Sequence, residues 1–358
     1  MGASMSILSE LARQYQHDLE AKYQHQFKAA HHQALNALIH CRTPEYGEMQ
    51  FRCTPCHQQH TFCHSCGHRS CPQCQHRSNC QWLVRQQQKL LPVHYFMVTF
   101  TLPYELRAFA WKHQRCVYAS LFKAATDTLN SFAQKDKHLR GNLGMTAVLH
   151  THSRRLDFHP HVHIIVPAGS FQSSQSLWHR HSKKYLFNEF ALAQVFRGKF
   201  LKSLQNAKLQ YPMALPKKWV AQCQQVGRGE PALKYLARYL YRGVINEKNI
   251  IKQAQGNVTF RYQDSKTKSW KTRTETAIDF LWLVLQHVLP KGFRRARDYG
   301  FLHGSAKKTL HRIQLLLKVT MAPSSLNTKK EHLCPCCKKP MDFILFFKLP
   351  KKLSRNTT

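Results

Sequence analysis

His159-Pro160-His161-Val162-His163-Ile164-Ile165-Val166 alternates imidazoles with aliphatic side chains and stops at Pro167 and Gly169. Such alternation predicts a strand, with His161, His163 and Ile165 on one face and Val162, Ile164 and Val166 on the other. Two imidazoles on one face, backed by an apolar opposite face, can hold a divalent ion. The run before it, Met145–His152, is also β-rich and contains Leu149-His150-Thr151-His152. Antiparallel pairing with Ser153 opposite Pro160 would set His152 against His161 and His150 against His163, all on one face. His150 or His152 would then supply a third ligand. His159 and a Gln or Glu near a downstream helix are further candidates.

Outward from this pair, Tyr95–Thr101 reads as a strand ended by Pro103, and Trp219–Val226 as another. Val258–Tyr262 and Ser269–Thr274 read as a hairpin. Apolar positions three and four apart predict helices over 5–40, 105–133, 186–209, 231–242, 275–289 and 305–319, with a short basic helix over 81–91. Pro231 suits an early helical position. The fold class is therefore α+β. Four segments are expected: 1–90, helical and cysteine-rich; 91–250, the strands and helices around the histidines; 251–320, an extension; and 321–358, a basic tail.

Lys and Arg number 54 against 18 Asp and Glu in 358 residues, a net charge of +36. Acids are absent between Glu48 and Glu105, between Glu189 and Glu230, and between Asp298 and Glu331. An uncompensated field of this size attracts polyanions, chiefly nucleic acid. Few acids also disfavour DNA-cutting chemistry built on three converging carboxylates. No apolar run reaches membrane-spanning length and Met1–Glu20 has no apolar signal core, so a cytoplasmic protein with no membrane partner is expected. Disulfides are rare there.

The 13 cysteines are thus read as metal ligands. Cys53-Thr-Pro-Cys56 and Cys71-Pro-Gln-Cys74 are two knuckles able to close a tetrahedral thiolate shell on Zn²⁺, with Cys63-x-x-Cys66 between them. Cys53, Cys56, Cys71 and Cys74 are the expected ligands; Cys63, Cys66, Cys41 and nearby histidines are substitutes. In the tail, Cys334-Pro-Cys-Cys337 is another half-site, which could join Cys63 and Cys66.

Tyr235-Leu-Ala-Arg-Tyr239 puts two phenols four apart, on one face of a helix, beside Arg238 and Arg242. A phenol with an ordinary pKa near 10 needs cations, a base or a metal-polarised phosphate to act as a nucleophile.

Taken together, these stretches resemble the rolling-circle insertion-sequence transposases of the IS-ninety-one-like family, which carry an HUH (His-hydrophobe-His) nuclease and two tyrosines. The resemblance rests on Cys41-Arg-Thr-Pro, Phe51-Arg-Cys-Thr-Pro-Cys56, Ser65-Cys-Gly-His-Arg-Ser-Cys-Pro-Gln-Cys-Gln75 and Val98-Thr-Phe-Thr-Leu-Pro103. It continues through Leu149-His-Thr, His159–Gly169, Tyr235–Tyr239, Val258–Tyr262 and His287-Val-Leu-Pro-Lys-Gly-Phe-Arg-Arg-Ala-Arg-Asp-Tyr-Gly-Phe-Leu302. The chain departs from the pattern after Tyr239, with Leu-Tyr-Arg-Gly-Val, and after Leu149-His-Thr, with His-Ser-Arg.

The resemblance implies an HUH-endonuclease domain, a central antiparallel sheet flanked by helices, behind an N-terminal helical and zinc-knuckle domain. It implies that His161 and His163, with His150 as third ligand, hold Mg²⁺ or Mn²⁺. Tyr235 or Tyr239 would attack single-stranded DNA at an element end, giving a 5′-phosphotyrosine. Arg238, Arg242, Lys291, Arg294 and Arg295 are the expected DNA contacts, and Zn²⁺ the structural metal. The alternatives are a replication initiator with the same chemistry and a non-catalytic, zinc-dependent DNA-binding protein.

Overall fold

A computed structural model describes residues 6–181, 186–231, 233–234, 244–264, 267–319 and 331–348; the side chains of 75–79 also lie outside the description. The strands in chain order are β1 (Glu48–Arg52), β2 (Gln59–Cys63), β3 (His94–Thr101), β4 (Gly144–His152), β5 (Phe158–Pro167), β6 (Gly169–Gln172), β7 (Leu177–Arg180) and β8 (Val220–Arg228). They continue as β9 (Ile250–Ala254), β10 (Asn257–Gln263), β11 (Trp270–Thr276), β12 (Ala296–Gly300) and β13 (Asp342–Phe347). The fold is α+β with antiparallel sheets. No described helix is long and apolar enough to cross a membrane.

The chain divides into two compact units, neither of them continuous. One comprises Met1–Ser78, Gly243–Val288 and Ser325–Thr358; the other comprises Asn79–Arg242 and Leu289–Ser324. The segment 251–320, expected as one extension, is therefore shared between them, and the tail belongs with the front of the chain.

In the first unit the helix Ile7–Gln14 is capped by Ser6, whose hydroxyl accepts the Ser9 N–H. Leu8, Leu11, Ala34, Leu35, Leu38, Phe280 and Leu281 are buried. Tyr23 stacks on Trp282 with centroids 4.6 Å apart. The hairpin β10–β11 pairs as its sequence predicts, with β9 added on the other edge. A separate three-stranded sheet, in the order β13-β1-β2, joins the front of the chain to the tail.

The second unit is built on a five-stranded antiparallel sheet in the order β12-β4-β5-β3-β8. One face is a continuous apolar layer: Phe96, Val98 and Phe100 of β3, Val162, Ile164 and Val166 of β5, and Met145, Ala147 and Leu149 of β4. The helices Gln114–Lys135 and Glu189–Asn206 supply the other half of that core, with Phe100 and Phe196 rings 4.7 Å apart. Each such aromatic stabilises the fold by roughly 1.5–3 kcal/mol through burial. Asn188 caps the second helix by accepting the Ala191 N–H. Glu189, its first residue, accepts the Cys223 N–H at 2.6 Å and so ties the helix to β8.

The opposite face is split. At one end Tyr95, Val148 and Ile165 pack with Trp82, Leu91, Phe301 and Ile313. At the other end the imidazoles emerge. Strand β12, which the sequence pattern did not disclose, is locked by Asp298. Its carboxylate accepts from Thr146 at 2.7 Å, Gln86 at 3.0 Å and Lys89 at 2.5 Å. The strand ends at Gly300 (φ +58°), where a Cβ would lie 1.6 Å from the Leu143 carbonyl oxygen, so only glycine fits.

Candidate metal centres

His161 and His163 lie on β5 and His150 on the adjacent β4, and their ligand nitrogens fall within 4.8 Å of one another. The expected facing is as observed, because Val162, Ile164 and Val166 are in the core on the other side. The expected register is not. His150 pairs with His161, Val148 with His163 and His152 with Phe158, with an irregularity between His150 and His152. Up to His150 the pairing is displaced by two residues from the one expected, and beyond the irregularity by three. A two-residue slip keeps every side chain on its face, so the cluster survives it. The turn enforces the displacement, since the Ser153 N–H bonds to the Asp157 carbonyl at 2.9 Å and the Ser153 hydroxyl accepts the Asp157 N–H.

Second-layer contacts orient the rings. His161 Nδ1 lies 2.7 Å from the His159 carbonyl oxygen, which only accepts, so Nδ1 carries the proton and Nε2 keeps its lone pair. His163 Nδ1 is 2.8 Å from the Thr99 hydroxyl on β3. His159 turns away to the Arg107 guanidinium at 2.5 Å, and His152 lies 6.2 Å, ring to ring, from His150. Burial, then the neighbouring imidazoles, hold His150 and His161 well below the usual histidine range. Burial alone brings His163 to about 4. All three are neutral at pH 7, which leaves lone pairs for a metal ion. Three imidazoles suit a first-row transition ion better than Mg²⁺, which prefers oxygen.

A cleft of about 340 Å³ opens beside His163, lined by Met97, Thr99, Gln222, Gln224, Val226 and Pro231. Gln222 lies across β3 in the same row as Thr99 and His163. The sequence points only to some Gln or Glu near the tyrosine segment, because a lone Gln on a strand carries no pattern that would single it out. Glu230, Pro231, Leu233 and Lys234 are helical, with Leu233 buried. Tyr235, Arg238, Tyr239 and Arg242 lie outside the described residues. A second cleft, about 300 Å³, is lined by Arg115, Arg294 and Arg297 with Ala119, Gly292 and Phe293. Arg297 also stacks over Phe122 at 4.4 Å. Lys291 offers its carbonyl to Arg115 at 2.5 Å, and Arg295 offers its own to the Leu149 N–H at 2.9 Å. The Arg295 charge helps hold His150 neutral.

The cysteines form two sets of four, and not the expected one. Cys53 and Cys56 do not meet Cys71 and Cys74. Cys41, Cys66, Cys71 and Cys74 converge within 4.8 Å, and so do Cys53, Cys56, Cys334 and Cys337. In the first set Cys41 ends the helix Ala29–His40, while Cys71 and Cys74 flank the start of the helix Pro72–Gln87. A helix N-terminus favours thiolate, and Pro72 suits the first helical position. Cys41 and Cys66 each lie 3.5 Å from Cys74. Hydrogen bonding from Cys66 draws Cys41 down to about 7, and bonding from Cys41 lowers Cys74. Four converging thiols are the donor set of a structural zinc site. Cys63 belongs to neither set and faces Glu48 at 3.9 Å.

A family model described as a transposase zinc-binding domain matches residues 11–102, and one described as a putative transposase matches 144–309. The chain is 33% identical over 328 residues to the putative transposase y4qJ of Sinorhizobium fredii, spanning 85% of this chain and 82% of that protein. The chain belongs to the IS-ninety-one-like transposases. This transposase is also 28% identical over 294 residues to the transposase for insertion sequence element IS801 of Pseudomonas savastanoi pv. phaseolicola, across 75% of this chain and 70% of the relative. No solved structure matches it. The zinc-binding match contains the whole first cysteine set of the transposase, and the transposase match contains His150, His161 and His163.

Proposed function

We propose that the protein is an HUH-type nuclease and strand transferase that nicks and rejoins single-stranded DNA at insertion-sequence ends. The observation that carries this is the set of three neutral imidazoles on β4 and β5, beside a cleft lined by Pro231 at the head of the tyrosine segment. His150, His161 and His163 would hold Mn²⁺ or Mg²⁺, Mn²⁺ being the better match to imidazole. When bound, such an ion supplies positive charge to the scissile phosphate and its transition state.

Tyr235 or Tyr239 is the proposed nucleophile. Its phenolic oxygen, losing its proton, bonds to phosphorus as the bond to the 3′ oxygen breaks. A 5′-phosphotyrosine and a free 3′-OH result. The ester conserves the phosphodiester energy, so an incoming 3′-OH reverses the step and joins strands without ATP. Two tyrosines let two cleaved ends be held together. Arg238, Arg242, Lys291 and Arg295 from the sequence, and Arg115, Arg294 and Arg297 from the second cleft, would neutralise the DNA backbone. The zinc-binding domain would add grip on the DNA.

Incubation with a labelled single-stranded oligonucleotide carrying the element end, in Mn²⁺, should give a covalent adduct on a denaturing gel. Tyr235→Phe,Tyr239→Phe and His161→Ala should each abolish it. Persistence of the adduct in the double tyrosine variant overturns the nucleophile assignment.

A further inference from the structure

The tail pair Cys334/Cys337 lies beyond both family matches. Its local conformation nevertheless repeats that of Cys53/Cys56. The Cys53 N–H bonds to the Gln58 carbonyl at 2.8 Å, and the Cys334 N–H to the Lys339 carbonyl at 2.8 Å, each five residues on. The residue after the second cysteine is left-handed in both, His57 at φ 55° and Lys338 at φ 60°. Each cysteine pair is thus a knuckle of the same build.

The knuckles sit at one end of the sheet β13-β1-β2. The first links β1 to β2, and the second leads into β13, with Arg52 opposite Asp342 and Phe51 opposite Phe343. This register brings Cys53 and Cys337 sulfurs to 3.4 Å and encloses Cys53 and Cys334 completely. Around them the apolar packing is slight, chiefly Phe51 and Met341 with Met49 and Phe62 partly buried. That core is too small to hold three strands and two turns on its own. Small domains of this kind obtain their stability from a metal.

We propose that Cys53, Cys56, Cys334 and Cys337 bind a second structural zinc ion, which clasps the C-terminal knuckle to the front of the chain as a zinc ribbon. The inference is independent of strand cleavage. Four thiolates in a tetrahedral shell select zinc over the oxygen-seeking ions. Cys336, between two ligands but exposed, takes no part.

Elemental analysis and mass-mapped alkylation of the full chain, purified in reductant without chelator, test this. The expected result is two zinc ions per chain. Cys334 and Cys337 should resist alkylation until chelator is added, while Cys336 reacts throughout. Cys334→Ser,Cys337→Ser should retain one zinc. Cys53→Ser,Cys56→Ser should expose Cys334 and Cys337, whereas Cys41→Ser,Cys66→Ser should leave them protected. One zinc per wild-type chain with tail cysteines alkylated at once overturns the proposal. So does protection of the tail pair without Cys53 and Cys56, and so does iron in place of the second zinc.

Discussion

The cysteine clusters of the first unit and the histidine cluster of the second solve opposite problems. Around Cys53 and Cys334 the protein offers few apolar side chains, and both knuckles are turns. Around His150, His161 and His163 it offers a sheet whose reverse face is packed by two long helices. In the first case a bound ion would organise the fold; in the second the fold itself positions the donors. Thiolate sites of the first kind are structural, and preorganised imidazoles of the second kind are suited to chemistry.

The largest test of that contrast is metal removal. A strong chelator applied to the full chain should deprotect the amides of β1, β2 and β13 while β3, β4 and β5 stay protected in hydrogen exchange. Structural zinc is worth roughly 10–16 kcal/mol to a small domain. Equal loss from both sheets would break the comparison.

A smaller effect sharpens it within the first unit, whose helical part has a core of its own. His31 is buried in the helix Ala29–His40, and its Nδ1 accepts the Lys28 N–H at 2.9 Å. Burial first, then Lys28, lowers it to about 4. The unfolded chain therefore binds the extra proton first. The stabilisation is complete above about pH 6.5 and is lost as pH falls from there toward about 4, a loss of order 2–3 kcal/mol. His31→Gln should flatten that part of the stability profile; an unchanged slope would refute the assignment.

The smallest effect concerns tuning of the imidazole site. Thr99→Val removes the hydroxyl that orients His163. It should weaken Mn²⁺ binding about tenfold, measured by titration calorimetry, with little change in thermal stability. A large drop in melting temperature instead would mean that Thr99 serves the fold.

Much of this was legible in the sequence. The period-two pattern of 159–166 gave the strand and its two faces, since alternation survives any packing detail. It could not give the register, because a slip of two residues leaves the pattern unchanged. The cysteine pairs were legible as pairs. Their partnering was not, because spacing reports the local turn alone while Cys53 and Cys334 meet through the pairing of β1 with β13. Strand β13 itself, Asp-Phe-Ile-Leu-Phe-Phe, was hidden in a Lys-rich tail with no alternation, and its side chains are exposed. Strand β12 is short and polar, and it is secured by the contacts of Asp298, which no local pattern reports.

The pairing of Phe51 with Phe343 also sets a timetable for the newborn chain. β1 leaves the ribosome long before its partner, 343 − 51 = 292 residues later. At roughly 5–20 residues per second, that interval is about 15–60 seconds. Throughout it, one edge of β1 lacks the strand that will cover it, and Cys53 and Cys56 have no tail knuckle to meet. Folding of the sheet β13-β1-β2 is thus a late event in the protein's synthesis, completed by a strand made long after the other two.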